Sequence, residues 1–330
     1  MLAIVRRTAA SKTTAAMVDR TSEVRYMSRV AQGDGVPDAE SKGGTVPVVS
    51  WPERGESGDW LGEDKAVVVI SVDVDAESPV LARGEHYINH LTTMSHQAYG
   101  PRVGVSRILD LLERLDVPST FFIPGASAER WPSVVESVRD RGQEIGLHGF
   151  THRHPVHLSE DEQRAELENS LKTFARFGVT PRGYRAPNWE MTRYTLDLLP
   201  EYGLAYDSSL MDDDRPYVVL AGTGRQRLAE LPVHWLLDDW EQYAFLPEPN
   251  IGQLIEAPSK VVDLWTSELD AMRDHGSLCV LTVHPFLTGR PSRLRALESF
   301  IRFAQGCGDV RFATAGEVAD RVLAPERFIP

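Results

Sequence analysis

From Lys65 to the C-terminus, short apolar runs alternate with stretches whose apolar residues recur every three or four positions. Runs of the first kind are read as strands, and the second kind as helices with one buried face. Ala66–Val74, Ser119–Pro124, Glu144–His148, Gly183–Arg185, Leu204–Asp207, Leu228–Val233, Leu278–His284 and Val310–Ala313 are the predicted strands. Between them, Ile108, Leu109, Leu111, Leu112 and Leu115 mark one helix face, and Pro132–Arg141 forms the next helix. Ser159 with Glu162 makes a capping box that opens a third helix, which ends near Gly178. Thr192–Tyr202, Val261–His275 with Gly276 as its C-cap, Arg293–Ala304 and Ala315–Leu323 complete the series.

Alternation of this kind implies a parallel sheet with helices outside. Its length and six to eight β/α units suit a distorted (β/α) barrel of about seven parallel strands. A doubly wound open sheet is the competing architecture, but no GxGxxG follows the first strand. Residues 1–62 lack this pattern: Gln32–Gly62 is rich in Gly, Pro and Ser, and is expected to be a disordered or loosely packed extension. The catalytic barrel is then residues 63–330.

Composition narrows the function. The formal net charge is −13, and the first sixty residues hold equal numbers of acidic and basic side chains, so the excess lies in the barrel. Nucleic acid is a poor partner for such a surface. The longest apolar run, Ala66–Ile70, is far short of the roughly 20 residues that span a bilayer, so no membrane role is expected. Two cysteines, Cys279 and Cys307, make neither a disulfide scaffold nor a zinc ribbon. Arg6 and Arg7 are not followed by an apolar stretch, which leads us to expect a cytoplasmic protein.

The chemistry lies at predicted strand ends, where β/α barrels gather their functional groups. Asp73 and Asp75 end the first strand and face the same way, being two residues apart in extended chain. His148, Arg185 and His284 end three others. His148 and His152, four apart, can bring two imidazoles to one ion, with Asp75 as a carboxylate ligand. The set suits zinc, with iron, cobalt or nickel as alternatives. Asp73 is then available as a general base and His284 as the acid for a leaving nitrogen. Each residue alone also has a bland reading: solvated aspartates, loop histidines, a buried histidine bonded to a carbonyl, a surface ion pair at Arg185. His86 and His90 repeat the HxxxH spacing without a strand-end carboxylate, and are read as loop or surface. His154 and His157 crowd the site, and Asp238 and Asp239 are candidates to pair with Arg185. HExxH and GxSxG are both absent.

These motifs resemble those of the polysaccharide deacetylase family of metal-dependent carbohydrate esterases. The matches are Asp73-Val-Asp75, His148-Gly-Phe-Thr-His152, Arg185-Ala-Pro187 and Leu281-Thr-Val-His284-Pro285. The resemblance implies Asp73 as base, Asp75, His148 and His152 as ligands of a divalent metal, Arg185 as tuner of the base and His284 as acid. Asp-x-Asp-Ala-Glu is similar to a subgroup holding allantoinase-like proteins, cyclic imide hydrolases and an atypical peptidoglycan deacetylase. Asn188 and Trp189 stand where polysaccharide enzymes carry Tyr-Gly, and would narrow an open groove around a small-molecule substrate. The long connection Glu77–Gly104 is a candidate lid. Subgroup members resemble homo-oligomers, often tetramers, and Trp235–Phe245 is the candidate contact or lid segment. The expected activity is metal-dependent hydrolysis of a non-peptide C–N bond in a small amide, cyclic imide or ureide. The competing readings are N-deacetylation of amino sugars or peptidoglycan fragments, and a non-catalytic carbohydrate- or ureide-binding barrel.

Overall fold

The structure, a computed structural model, describes residues 49–325. Its twelve strands are β1 (Glu53–Gly55), β2 (Ala66–Asp73), β3 (Ser119–Ile123), β4 (Glu144–Leu147), β5 (Gly183–Tyr184), β6 (Tyr206–Asp207), β7 (Tyr217–Ala221), β8 (Gln226–Glu230), β9 (Phe245–Leu246), β10 (Ile251–Gln253), β11 (Leu278–Val283) and β12 (Val310–Phe312). Seven run parallel in the order β11-β2-β3-β4-β5-β6-β8, and the short β12 joins β2 as a further parallel strand off this path. Asp238, beyond β8, makes a single parallel bridge to Thr282 of β11. The ring therefore closes through a seam of irregular chain, and the barrel is distorted as expected.

Alternation along β2 explains the two sides of the wall. Val68, Ile70 and Val72 belong to the larger apolar cluster, packed with the helices Val105–Leu115 and Pro291–Cys307. Val67 and Val69 belong to a second cluster with Phe122, Tyr206, Ala229 and Val280, which fills the barrel interior. Ser71 and Asp73 continue that inward face and are buried. The helix Ala315–Leu323 adds Val318, Ala319 and Val322 to the inner cluster. Its start contacts Thr120 and Glu144, near the N-terminal ends of β3 and β4, so the opposite end of the barrel is left for chemistry.

The predicted helix faces and the capping box at Ser159 and Glu162 are present. Three expectations need correction. Trp51–Gly62 does not belong with a loose extension: β1 pairs antiparallel with β7, and Trp60 is buried in the inner cluster. Residues 1–48 lie outside the described residues. The connection 77–104 is largely helical (Ser78–Leu81, Glu85–Asn89, Leu91–Tyr99 and Gly100–Gly104) and packs on the Pro285–Thr288 turn. Finally, the expected strand at Leu228–Val233 is preceded by β7, for which no strand was expected, and the two form an antiparallel hairpin.

Candidate active site

One cavity, of about 100 Å³, lies at the C-terminal ends of the strands. It is lined by Asp73, Asp75, His148, His152, Asn188, Trp189, Trp235, Asp238, Trp240, Glu241 and His284. Seven of the eight residues singled out from the sequence thus meet at one place. The eighth, Arg185, lies beneath it, fully buried, with Nη1 donating to Asp73 Oδ1 at 2.8 Å.

Asp75, His148 and His152 converge. Nε2 of His148 is 3.4 Å from Asp75 Oδ1, and Nε2 of His152 is 3.4 Å from Asp75 Oδ2. Ligand atoms about 2.0–2.1 Å from a tetrahedral ion stand about 3.3–3.4 Å from one another, so the donors are spaced as such an ion requires. Two further observations fit. Asp75 Oδ1 is buried and meets no donor among the described residues. His148 Nδ1 pairs with the Arg185 carbonyl at 2.9 Å, which turns Nε2 toward the aspartates. Burial pushes the Asp75 carboxyl up, but His152, His148 and His284 outweigh it and hold the group below the usual carboxylate range. Burial lowers His148, favouring the neutral imidazole that can bind an ion.

Backbone geometry explains how two histidines four apart can meet. The loop after β4 has Gly149 at φ +65° and His152 at φ +64°. Gly149 occupies a left-handed position that Ser or Thr enters only at a cost, which accounts for glycine in this motif. Glu166, on the helix Glu160–Arg176, holds the loop: it accepts from the Phe150 and Thr151 amides at 2.8 and 2.7 Å and from Thr151 Oγ1 at 2.6 Å. Nothing in the Glu166 spacing announced this, because the contact is made across a loop and a helix.

Arg185 spends its donors on Ser71 Oγ, Asp73 Oδ1, Thr282 Oγ1 and both oxygens of Ser208. Its guanidinium also lies 4.2 Å over the Phe122 ring. Asp73 Oδ1 is thereby committed, and Oδ2 is left on the side of His148, 3.8 Å from its Nε2.

Asp238 and Asp239 do not pair with Arg185; they face His284 instead, carried there by the seam. Asp239 Oδ1 accepts from His284 Nδ1 at 2.7 Å and from the His284 amide at 3.0 Å, and Oδ2 accepts from Thr288 Oγ1. The other ring nitrogen, Nε2, stands 3.6 Å from Asp75 Oδ2. Burial lowers His284, but Asp238, Asp239 and Asp75 outweigh it, so its pKa lies well above the ordinary imidazole value. Asp238, Asp239 and His284 also lie close enough to suggest a second ion site. The Asp239 oxygens are already committed to His284 and Thr288, so the cluster reads as a support for His284.

His86 and His90 sit on the separate helical segment and do not line the cavity. His154 and His157 stack on each other at 5.6 Å, also outside it. No residue of 77–104 reaches the cavity, so that segment is not the lid; Trp235, Trp240 and Glu241 of the predicted aromatic segment form the wall. Trp189 stacks on Trp235 with centroids 4.6 Å apart, and Asn188 and Trp189 both have φ +55°.

The polysaccharide deacetylase family model matches residues 98–206. A candidate polysaccharide deacetylase from Mycobacterium smegmatis, known from its crystal structure, is 44% identical; the match covers 82% of this chain and 95% of that one, with a TM-score of 0.78. The peptidoglycan deacetylase of Helicobacter pylori is 29% identical over 78% of this chain and 96% of its own length. Puue allantoinase shares the fold, at 21% identity and a TM-score of 0.70 over 83% of this chain and 97% of that one. The chain belongs to the polysaccharide deacetylase family and is a hydrolase of carbon–nitrogen bonds other than peptide bonds.

Proposed function

We propose that this chain hydrolyses the C–N bond of a small amide, cyclic imide or ureide, with a divalent ion held by Asp75, His148 and His152. The observation that carries the reading is one cavity in which a free carboxylate oxygen, Asp73 Oδ2, and an imidazole nitrogen, His284 Nε2, both stand beside the three ligands. A bound ion supplies Lewis acidity toward a carbonyl oxygen and toward water. Asp73 Oδ2 takes a proton from the attacking water, and Arg185 keeps that carboxylate aimed through Oδ1. His284 Nε2 gives its proton to the departing nitrogen as the C–N bond breaks, with Nδ1 held by Asp239. An amide anion is too basic to leave without that proton.

The stacked indoles of Trp189 and Trp235 support a compact substrate, because they narrow the mouth of the cavity. N-deacetylation of an amino sugar or a peptidoglycan fragment is the second reading, favoured by the likeness to the Helicobacter pylori enzyme. The ligand set suits zinc, iron, cobalt or nickel. We also propose a homo-oligomer, in keeping with large apolar side chains on the described surface such as Leu91, 81% exposed, and Ile255, 61% exposed. Sedimentation equilibrium at the mass of a single chain would refute that part.

The test joins metal analysis to turnover. Purified protein is expected to carry about one divalent ion per chain and to open succinimide, hydantoin or allantoin. Acetate release from N-acetylglucosamine oligomers instead would select the second reading. Protein with neither ion nor turnover would end both.

A further inference from the structure

We infer that the substrate carries a cationic nitrogen, a protonated amine, near the scissile bond. The inference rests on the proposed hydrolysis at the same site and names the class of molecule it accepts.

With the ligands, Asp73 and His284 assigned, the rest of the lining is Asn188, Trp189, Trp235, Asp238, Trp240 and Glu241. Three are indoles, two are carboxylates, and no lysine or arginine lines the cavity among the described residues. Asp238 is 4% exposed. Its Oδ1 accepts from the Trp240 amide at 2.8 Å, while Oδ2 meets no donor among the described residues. Asn188 Oδ1 is likewise buried and unmet. Glu241 stands at the exposed rim without a basic partner among the described residues. The wall therefore offers acceptors that the protein does not satisfy.

A buried acceptor without a donor costs free energy, so a ligand that supplies donors gains by filling the role. An anion would be repelled by the Glu241 carboxylate at the rim and would meet only an unmet acceptor at Asn188 Oδ1. An ammonium brings three N–H donors for these acceptors and a charge that the Glu241 carboxylate attracts. It is also drawn to the face of an indole, and Trp235 remains 44% exposed beyond its stack with Trp189. The net charge of −13 assists the approach of a cation from solution.

The test begins with binding, so that it does not depend on turnover. Tryptophan fluorescence of the metal-loaded full chain is titrated with putrescine, butanol and butyrate. Putrescine is expected to bind at least about tenfold more tightly than butanol, through the cation–π and ionic contacts. The preference should shrink several-fold in Glu241→Gln and in Trp235→Leu. Butanol binding as tightly as putrescine overturns the inference. Turnover of N-acetylputrescine, N-butylacetamide and N-acetyl-γ-aminobutyrate then compares a cation, a neutral analogue and an anion. A higher kcat/KM for the cation supports the inference. Equal values overturn it while leaving the hydrolase reading intact. Tight putrescine binding with none of the three hydrolysed supports the charge preference and counts against amide hydrolysis.

Discussion

Asp75 Oδ1 lies buried with no donor among the described residues, and two imidazoles present Nε2 to the carboxylate at 3.4 Å, His148 to Oδ1 and His152 to Oδ2. Asp75→Asn replaces one of the two carboxylate oxygens with a nitrogen that cannot ligate, and His148→Ala removes a ligand outright. Both variants are expected to lose bound metal and turnover together. His284→Ala should behave differently, because His284 is tied to Asp239 rather than to the ligand set. It is expected to retain metal and to lose roughly 10²–10⁴-fold in kcat, the usual scale for a general acid. Elemental analysis alongside kcat separates the two cases, and a fully active His284→Ala would refute the acid assignment. Asp73, Asp75, His148 and His284 were legible as chemistry because each stands at the end of an apolar run, where strand periodicity locates it. Asp239 and Glu166 were not legible in these roles. Their partners are 45 residues away for Asp239 and on a loop turned back by left-handed residues for Glu166, and neither relation leaves a periodic trace.

At the scale of elements, the segment 77–104 buttresses the site rather than covering it. A Cβ on Gly104 would stand 2.1 Å from the Pro285 carbonyl oxygen, so helix and turn touch backbone to backbone. The obstacle cannot rotate away, and Pro285 is the neighbour of His284. Gly104→Ala is therefore expected to cost about 1–3 kcal/mol in urea unfolding and to lower kcat more than metal content. A second contact ties β6 to β8 beneath Arg185. Glu230 Oε1 accepts from the Ser209 and Leu210 amides at 3.1 and 2.9 Å, and Asp207 Oδ1 accepts from Ser209 Oγ at 2.9 Å. Asp207 Oδ2 and Glu230 Oε2 are buried with no donor among the described residues, a need that a proton shared between them would meet. Burial raises Asp207 from 3.8 to about 6 and Glu230 well above its usual value. The folded chain thus keeps protons that the unfolded chain releases, and the pair's contribution to stability falls as pH rises from about 4 through 6 and beyond. Asp207→Asn is expected to remove part of that slope; a difference between wild type and variant that is flat from about pH 4 to pH 7 would exclude the shared proton. The β7–β8 hairpin was hidden in the sequence for a related reason. β8 itself is a barrel strand, parallel to β6, and only the missing helix before it shows that β7 folds back antiparallel on its outer edge.

Across the whole molecule, alternating strand and helix signals were enough to read a seven-stranded parallel wall, but not where the ring closes. Closure falls in the irregular stretch from Leu231 to Asp239, bonded to β11 through the Asp238–Thr282 bridge and the Asp239 amide to the Thr282 carbonyl at 3.1 Å. Irregular chain has no periodicity to detect, yet this seam delivers the carboxylates that orient His284. The proposed ion acts on the same global architecture, because its ligands come from the end of β2 and the loop after β4. An ion that binds the folded ring and not the unfolded chain must stabilise the whole barrel, by about 2.7 kcal/mol at a free concentration one hundred times its dissociation constant. Chelator-treated protein is therefore expected to melt at a lower temperature than the loaded form, and to regain the difference when zinc is returned. His152→Ala should melt at one temperature with or without zinc, because it lacks a ligand. If wild type and this variant gained equally from added zinc, the stabilising ion would be bound elsewhere, and the convergence of Asp75, His148 and His152 would owe nothing to metal.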